Sequence, residues 1–321
     1  MKNLNEAFLD YNDQKRIRKS VYDDMKEKID IIVDEMKSNE DTLSFSIMYL
    51  GSYATKTGVE YNDKDYDIDV AIRLNIKENK IDEYDANEQK KSIYESIRKL
   101  RKRSFHTMCV SAKYFEDEKP KYHIDFPVYA FDAEKSTYYI AKGKQDEVEW
   151  EKCEPDKLTE YLVYASAPTN KLDAYRRTIR YLKVWKNYVF SNEKKYCSPP
   201  SIAINLTARI FYASYSVQNE IDNLLNVSKE LLKQISSTAT LNLPYVPNSN
   251  VFEKMNSDLE YVKVYKAKLN HLIDKLEEAK SKEEYSLEEA CKTLREVLPD
   301  FPLPDKEITS ESFAPTGSYG K

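Results

Sequence analysis

Leu43-Ser-Phe-Ser-Ile-Met-Tyr-Leu-Gly-Ser52, followed after fourteen intervening residues by Asp67-Ile-Asp69 at the head of Tyr66-Asp-Ile-Asp-Val-Ala-Ile-Arg-Leu74, is the stretch from which the fold is read. The first segment is rich in strand formers and the second alternates with period two, so the predicted order is strand, Gly-Ser turn, loop, strand. Alternation puts Asp67 and Asp69 on one face, while Ile68, Val70 and Ile72 anchor the other face in a core. Glycine occurs only five times in 321 residues, and Gly51 and Gly58 both fall in this loop. A glycine at 51 lets the backbone approach a phosphate closely, and Ser52 adds a hydroxyl and an N–H donor.

Two adjacent carboxylates repel each other unless a cation sits between them, and oxygen-only ligands suit Mg²⁺ or Mn²⁺. The chemistry implied is metal-assisted phosphoryl transfer. Alone, Asp-x-Asp is a weak signal, because Asp63, Asp65, Asp67 and Asp69 also describe a solvated acidic turn. A third carboxylate strengthens it. Residues Met108–Glu116 and Tyr122–Phe131 read as two strands joined by the polar turn 117–121, and Asp125 lies inside the second, between Ile124 and Phe126. A charge within an apolar strand is costly to bury unless it is paired or binds metal; the alternative is an edge-strand aspartate facing solvent.

Gly51-Ser52, Asp67-x-Asp69 and Asp125 in His-Ile-Asp-Phe-Pro together resemble the catalytic signature of the DNA polymerase β-like nucleotidyltransferases. Arg176-Arg-Thr-Ile-Arg-Tyr-Leu-Lys-Val-Trp-Lys186, Pro199-Pro-Ser-Ile-Ala-Ile-Asn-Leu206 and Val246-Pro-Asn-Ser-Asn-Val251 resemble the helical half of the oligoadenylate synthetase and cyclic GMP-AMP synthase branch. Within it the chain is most similar to the bacterial CD-NTases, which make cyclic oligonucleotide signals in anti-phage defence. The resemblance covers roughly residues 1 to 300 and implies an α+β, bilobal fold: a mixed-sheet catalytic lobe, a helical lobe, and a long N-terminal helix along both.

The resemblance also implies a reaction, attack of a ribose hydroxyl on the α-phosphate of a nucleoside triphosphate with pyrophosphate leaving. Asp67 and Asp69 would hold two Mg²⁺ ions, Asp125 the ion nearer the attacking hydroxyl, and Gly51-Ser52 the donor phosphates. A second turnover in the same site would close the ring. Alternatives are a linear oligoadenylate synthetase, an RNA- or protein-modifying nucleotidyltransferase, and a catalytically inert nucleotide sensor; an inert sensor has no need of a costly carboxylate cluster.

Between Lys171 and Lys195 lie eight basic and two acidic residues, whereas Glu60 to Asp69 holds five acidic and one basic. A metal-bound triphosphate is a natural intermediary between such segments. Arg176, Arg180 and Lys183 share one helix face, either a solvated basic stripe or a phosphate-binding one. With the resemblance, Arg180 and Lys183 are expected on the nucleotide phosphates. Ser201, opening the helix after Pro199-Pro200, reads equally as a cap or as a ribose or phosphate contact.

Hydrophobic residues at 41% and charged residues at 33% describe a globular protein with a heavily charged surface. No apolar run is long enough to span a membrane, and the N-terminus lacks a signal-peptide core, so the expected location is the cytoplasm. Four dispersed cysteines and three histidines give neither a disulfide framework nor a zinc site. The net charge of −5 argues against duplex DNA as an activator.

Residues 5–39 read as one long helix, strands dominate from 44 to about 142 with a helix near 87–102, and 156–298 read as six helices. The expected division is 1–150 catalytic lobe, 151–300 helical lobe and 301–321 a flexible tail; since the resemblance implies a C-terminus that in some systems is conjugated by a neighbouring ligase-like enzyme, the tail reads either as a regulatory handle or as a disordered end with no role.

Overall fold

Strand β2 (Tyr66–Leu74) organises the sheet. The computed structural model describes residues 3–60, 66–76, 80–100, 102–116, 118–246 and 249–304. Strand β1 (Phe45–Tyr49) runs antiparallel to β2, with Tyr49 opposite Val70. Strands β5 (Lys119–Phe126) and β6 (Val128–Asp132) run parallel to successive halves of it. Between β5 and β6 stands Pro127, which has no N–H to continue a ladder; its carbonyl instead accepts from Ile72 N at 2.9 Å. The single strand expected over 122–131 is therefore two.

Strand β4 (Val110–Glu116) pairs antiparallel with β5 and carries the short β3 (Ser104–Phe105). On the other side β7 (Thr137–Lys142) and β8 (Glu149–Cys153) extend from β6. Lys119, Pro120 and Lys121, expected in a turn, belong to β5, with the register shift between Tyr114 and Phe115 absorbing the difference.

The N-terminal helical run touches both halves of the molecule, but as two helices, α1 (Leu4–Lys15) and α2 (Lys19–Lys37). No proline or glycine marks the break. It is made by tertiary pairing: Lys15 O accepts from Glu60 N at 2.8 Å, and Arg16 bridges Val59. Ile17 packs so tightly on Gly58 that a Cβ there would lie 2.4 Å from its Cδ1. Leu4, Ala7, Phe8 and Tyr11 of α1 join the core of the helical half, whereas Met25, Ile29, Ile32, Val33 and Met36 of α2 join that of the sheet.

After β1 comes a five-residue helix, α3 (Gly51–Thr55), where a turn was expected, and α4 (Ala86–Ser96) supports the sheet. The helical half holds α5 (Pro155–Val163), α6 (Thr169–Val189), α7 (Ser201–Ser214), α8 (Glu220–Lys233), α9 (Leu259–Glu283) and α10 (Leu287–Arg295). All six predicted helices are present. Side-chain caps from Asn219, Asp258 and Ser286 set the starts of α8, α9 and α10. Residues 305–321 of the expected tail, and Asp63 and Asp65 of the acidic run, lie outside the described residues.

Candidate active site

The parallel register of β2 and β5 places Asp67 beside His123 and Asp69 beside Asp125. Residues opposite one another in a ladder point to the same face, so four ionisable side chains form one patch. Behind it Ile68, Val70 and Ile124 are buried and fix both strands. His123 bridges the patch: Nδ1 is 3.4 Å from Asp67 Oδ1, and Nε2 is 3.4 Å from Asp125 Oδ1. Its pKa is raised, mainly by the hydrogen bond to Asp67. Asp69 is pushed up to about 6 by burial and by the charges of Asp125 and Asp67. Burial also raises Asp125, with His123 opposing it, and the Cys109 thiol, pushed to about 12, hydrogen-bonds to Asp125.

Gly51 explains how Asp69 is seated. Its φ is +56°, and a Cβ would fall 2.0 Å from Asp69 Oδ2, so the carboxylate occupies the space that any side chain at 51 would need. Leu50 N donates to Asp69 O at 2.9 Å, tying the entry to α3 to the same residue.

Across from the sheet, α6 presents its basic face. Arg176 Nε donates to Thr55 O at 3.2 Å, Arg180 Nη1 to Lys56 O at 2.8 Å, and Lys183 Nζ to Thr57 O at 3.1 Å. Three cations thus take three successive carbonyls of the segment leaving α3. Arg180 Nε also donates to Asn12 Oδ1 at 2.8 Å, tying α1 to the same clamp. Lys186, one turn beyond Lys183, donates to Ser201 Oγ at 2.9 Å. Burial lowers Lys183 to about 7 and Lys186 to about 8, a neighbouring ammonium adding to the effect at Lys183.

These groups line a cavity of about 790 Å³ between the sheet and the helical half. Gly51, Ser52, Asp67, Asp69, Asp125, Lys183 and Ser201 meet there; Arg180 and Arg176 do not line it. Three further residues escaped the sequence reading, Lys186 and Asn205 on the cavity wall and His123 within the carboxylate patch. His123 stands two residues before Asp125, Lys186 three after Lys183, and Asn205 four after Ser201, so in each case the period of the element was the available signal. A second depression, of about 440 Å³, is lined by Asn5, Asp173, Arg177 and Glu220, and Arg177 is paired there with Glu220 at 2.7 Å.

The donor set suits a hard divalent cation: three carboxylates, one of them with an oxygen, Asp125 Oδ1, that is buried and accepts no hydrogen bond. Among the described residues no three acidic, His or Cys groups yet surround a common point, and the imidazole of His123 stands between Asp67 and Asp125.

A strand-borne carboxylate patch beside a Gly-Ser helix start, on a mixed sheet backed by a helical half, is the polymerase β-like nucleotidyltransferase fold. Residues 46–129 match the family "Cyclic GMP-AMP synthase DncV-like, nucleotidyltransferase domain". Among solved structures, the Vibrio cholerae DncV cyclic AMP-GMP synthase in complex with the linear intermediate pppA(3′,5′)pG is similar at a TM-score of 0.74, with 13% identity over 94% of this chain and 98% of that one. The Bradyrhizobium diazoefficiens CD-NTase CdnG in complex with GTP is similar at 0.70, with 13% identity over 92% and 95%. At such identities the likeness is one of fold. No curated protein sequence matches the chain. Among the described residues no helix is long and apolar enough to cross a membrane.

Proposed function

We propose that this protein is a Mg²⁺-dependent nucleotidyltransferase that joins nucleoside triphosphates into a cyclic di- or oligonucleotide, releasing pyrophosphate, as a cytoplasmic signal in anti-phage defence. The observation that carries the reading is the meeting of the acidic patch and two charge-depressed lysines, Lys183 and Lys186, across one nucleotide-sized cavity. An acidic face draws metal and buried amines draw phosphate, so a metal-bound triphosphate satisfies both at once.

Asp67, Asp69 and Asp125 would hold the divalent ions, Mg²⁺ or Mn²⁺, which when bound neutralise charge on the attacking and leaving oxygens. Asp125, whose pKa is raised by burial, takes the proton from the attacking ribose hydroxyl as the hydroxyl oxygen bonds to the α-phosphorus and the bond to pyrophosphate breaks. Ser52 and the backbone of 51–53 hold the donor phosphates. Lys183, Lys186 and Ser201 stabilise their charge. Arg180 serves the same end indirectly, by fixing the carbonyl of Lys56 and so the loop behind α3.

The reading includes turnover without duplex DNA, with a protein regulator or conjugation at the tail as the mode of control. Incubating the protein with ATP, GTP, CTP and UTP and Mg²⁺, then with phosphatase, and weighing the product by mass spectrometry tests it. A phosphatase-resistant mass made only of nucleoside monophosphate units supports the proposal. A phosphatase-sensitive product would indicate a linear oligonucleotide instead.

A further inference from the structure

We infer that Asn205 reads the base of the nucleotide in this cavity. The inference builds on the function proposed above, since it requires a nucleoside triphosphate to occupy the site.

Ser201, Asn205 and Arg209 follow one another at four-residue steps along α7 and so share a face. Ser201 is held by Lys186 at the phosphate end. Arg209 is committed at the far end, donating to Tyr161 O at 2.8 Å and lying 3.6 Å from the ring centroid of Tyr164. Between them Asn205 is 5% exposed and lines the cavity, yet its Oδ1 is buried and accepts no hydrogen bond. Nearby Thr207 shows what α7 does with a polar side chain that faces the core: its hydroxyl donates to Ala203 O at 2.8 Å and accepts from Gln234 at 2.7 Å. A buried amide oxygen without a donor is costly, and a native chain seldom keeps one without use for it.

The missing partner must be a hydrogen-bond donor. A phosphate oxygen, which only accepts at neutral pH, cannot take that place at Oδ1. A donor also fits the position, about 6 Å along the helix axis from Ser201. Each nucleobase offers an N–H beside an acceptor, and a side-chain amide carries the complementary pair. Beside the polar Thr159, Lys183, Lys186 and Asn187, this side of the cavity carries Leu158, Leu162, Ile202, Leu243 and Val246, apolar side chains that suit the flat faces of a base.

The test measures affinities in Mg²⁺ for three probes: non-hydrolysable nucleoside triphosphates of each base, ribose 5-triphosphate, and inorganic tripolyphosphate. It compares the wild type with Asn205→Leu and Asn205→Ser. The expected result is a loss of about tenfold or more for the tightest-binding nucleotide in both variants, with tripolyphosphate and ribose 5-triphosphate unchanged. An unchanged nucleotide affinity overturns the inference, as does an equal loss for tripolyphosphate in both variants. Loss of ribose 5-triphosphate in parallel with the nucleotide would move the contact to the sugar and overturn it too. A wild type that binds none of the three probes would instead overturn the proposed function.

Discussion

The β2–β5 patch and helix α6 face the same cavity with opposite charge, yet they use their ionisable groups differently. On the sheet, Asp67, Asp69 and Asp125 all line the cavity, held in register by buried backs and by the absent side chain at Gly51. On the helix the same stripe is divided. Arg176 and Arg180 spend donors on the carbonyls of Thr55 and Lys56, Lys183 binds Thr57 while still lining the cavity, and Lys186 reaches Ser201. A strand of period two shows a whole face to one neighbour, whereas a helix face several turns long meets different partners along its length.

Substitutions on the sheet should therefore remove chemistry with little damage to the fold. Asp69→Asn is expected to lower nucleotide consumption by about a thousandfold or more in Mg²⁺. Its thermal midpoint at neutral pH should not fall, because the exchange removes a charge that its neighbours and burial oppose. A midpoint several degrees lower would show the patch to be part of the stability of the sheet. Gly51→Ala comes next, with about a hundredfold loss, since the new methyl must displace the Asp69 carboxylate and the backbone at φ +56° is strained for alanine. Stability and turnover should fall together in this variant, which calorimetry and a rate assay can compare.

Strand β2 was legible because it alternates, so Asp67 and Asp69 could be placed on one face and Asp125 inside a strand before any tertiary contact was known, whereas the ends of β5, at 119–121 and at Pro127, were not. The break between α1 and α2 was not legible either, because Arg16-Ile-Arg18 carries no breaker and the cause lies far along the chain at Val59 and Glu60. The stripe on α6 was legible as a stripe. Which cation meets the loop and which meets the cavity depends on where 55–57 passes, and that is a matter of packing between distant segments.

Smaller effects separate the two ends of α6. Lys186→Ala should raise KM for nucleoside triphosphate by about tenfold with a minor change in melting temperature. Arg176→Ala should do the reverse, costing about 1–2 kcal/mol of stability through the lost bond to Thr55 O while KM moves less than about threefold. If the two variants behaved alike, the division of the stripe would be wrong.

The smallest effect is a proton count. Lys183, at about 7, is faced by Lys186 and Arg180 from its own helix and by Asp69 from β2, while Lys186, at about 8, is faced by Asp67. Both values lie below that of a free lysine, so above pH 7 the folded protein binds fewer protons than the unfolded chain, and unliganded stability should rise with pH from about 7 towards 10. A bound triphosphate restores the charges. At pH 8, where Asp69 at about 6 is already ionised, nucleotide binding should take up about one proton. Calorimetry in buffers of different ionisation enthalpy reads this directly, and proton release would contradict it.

Pyrophosphate release tests the central claim most directly. With all four nucleoside triphosphates and Mg²⁺ or Mn²⁺, the purified protein should liberate pyrophosphate, and chelation of the metal or Asp69→Asn should each stop it. Release that persisted in Asp69→Asn, or a wild type that liberated none with either metal, would contradict the account.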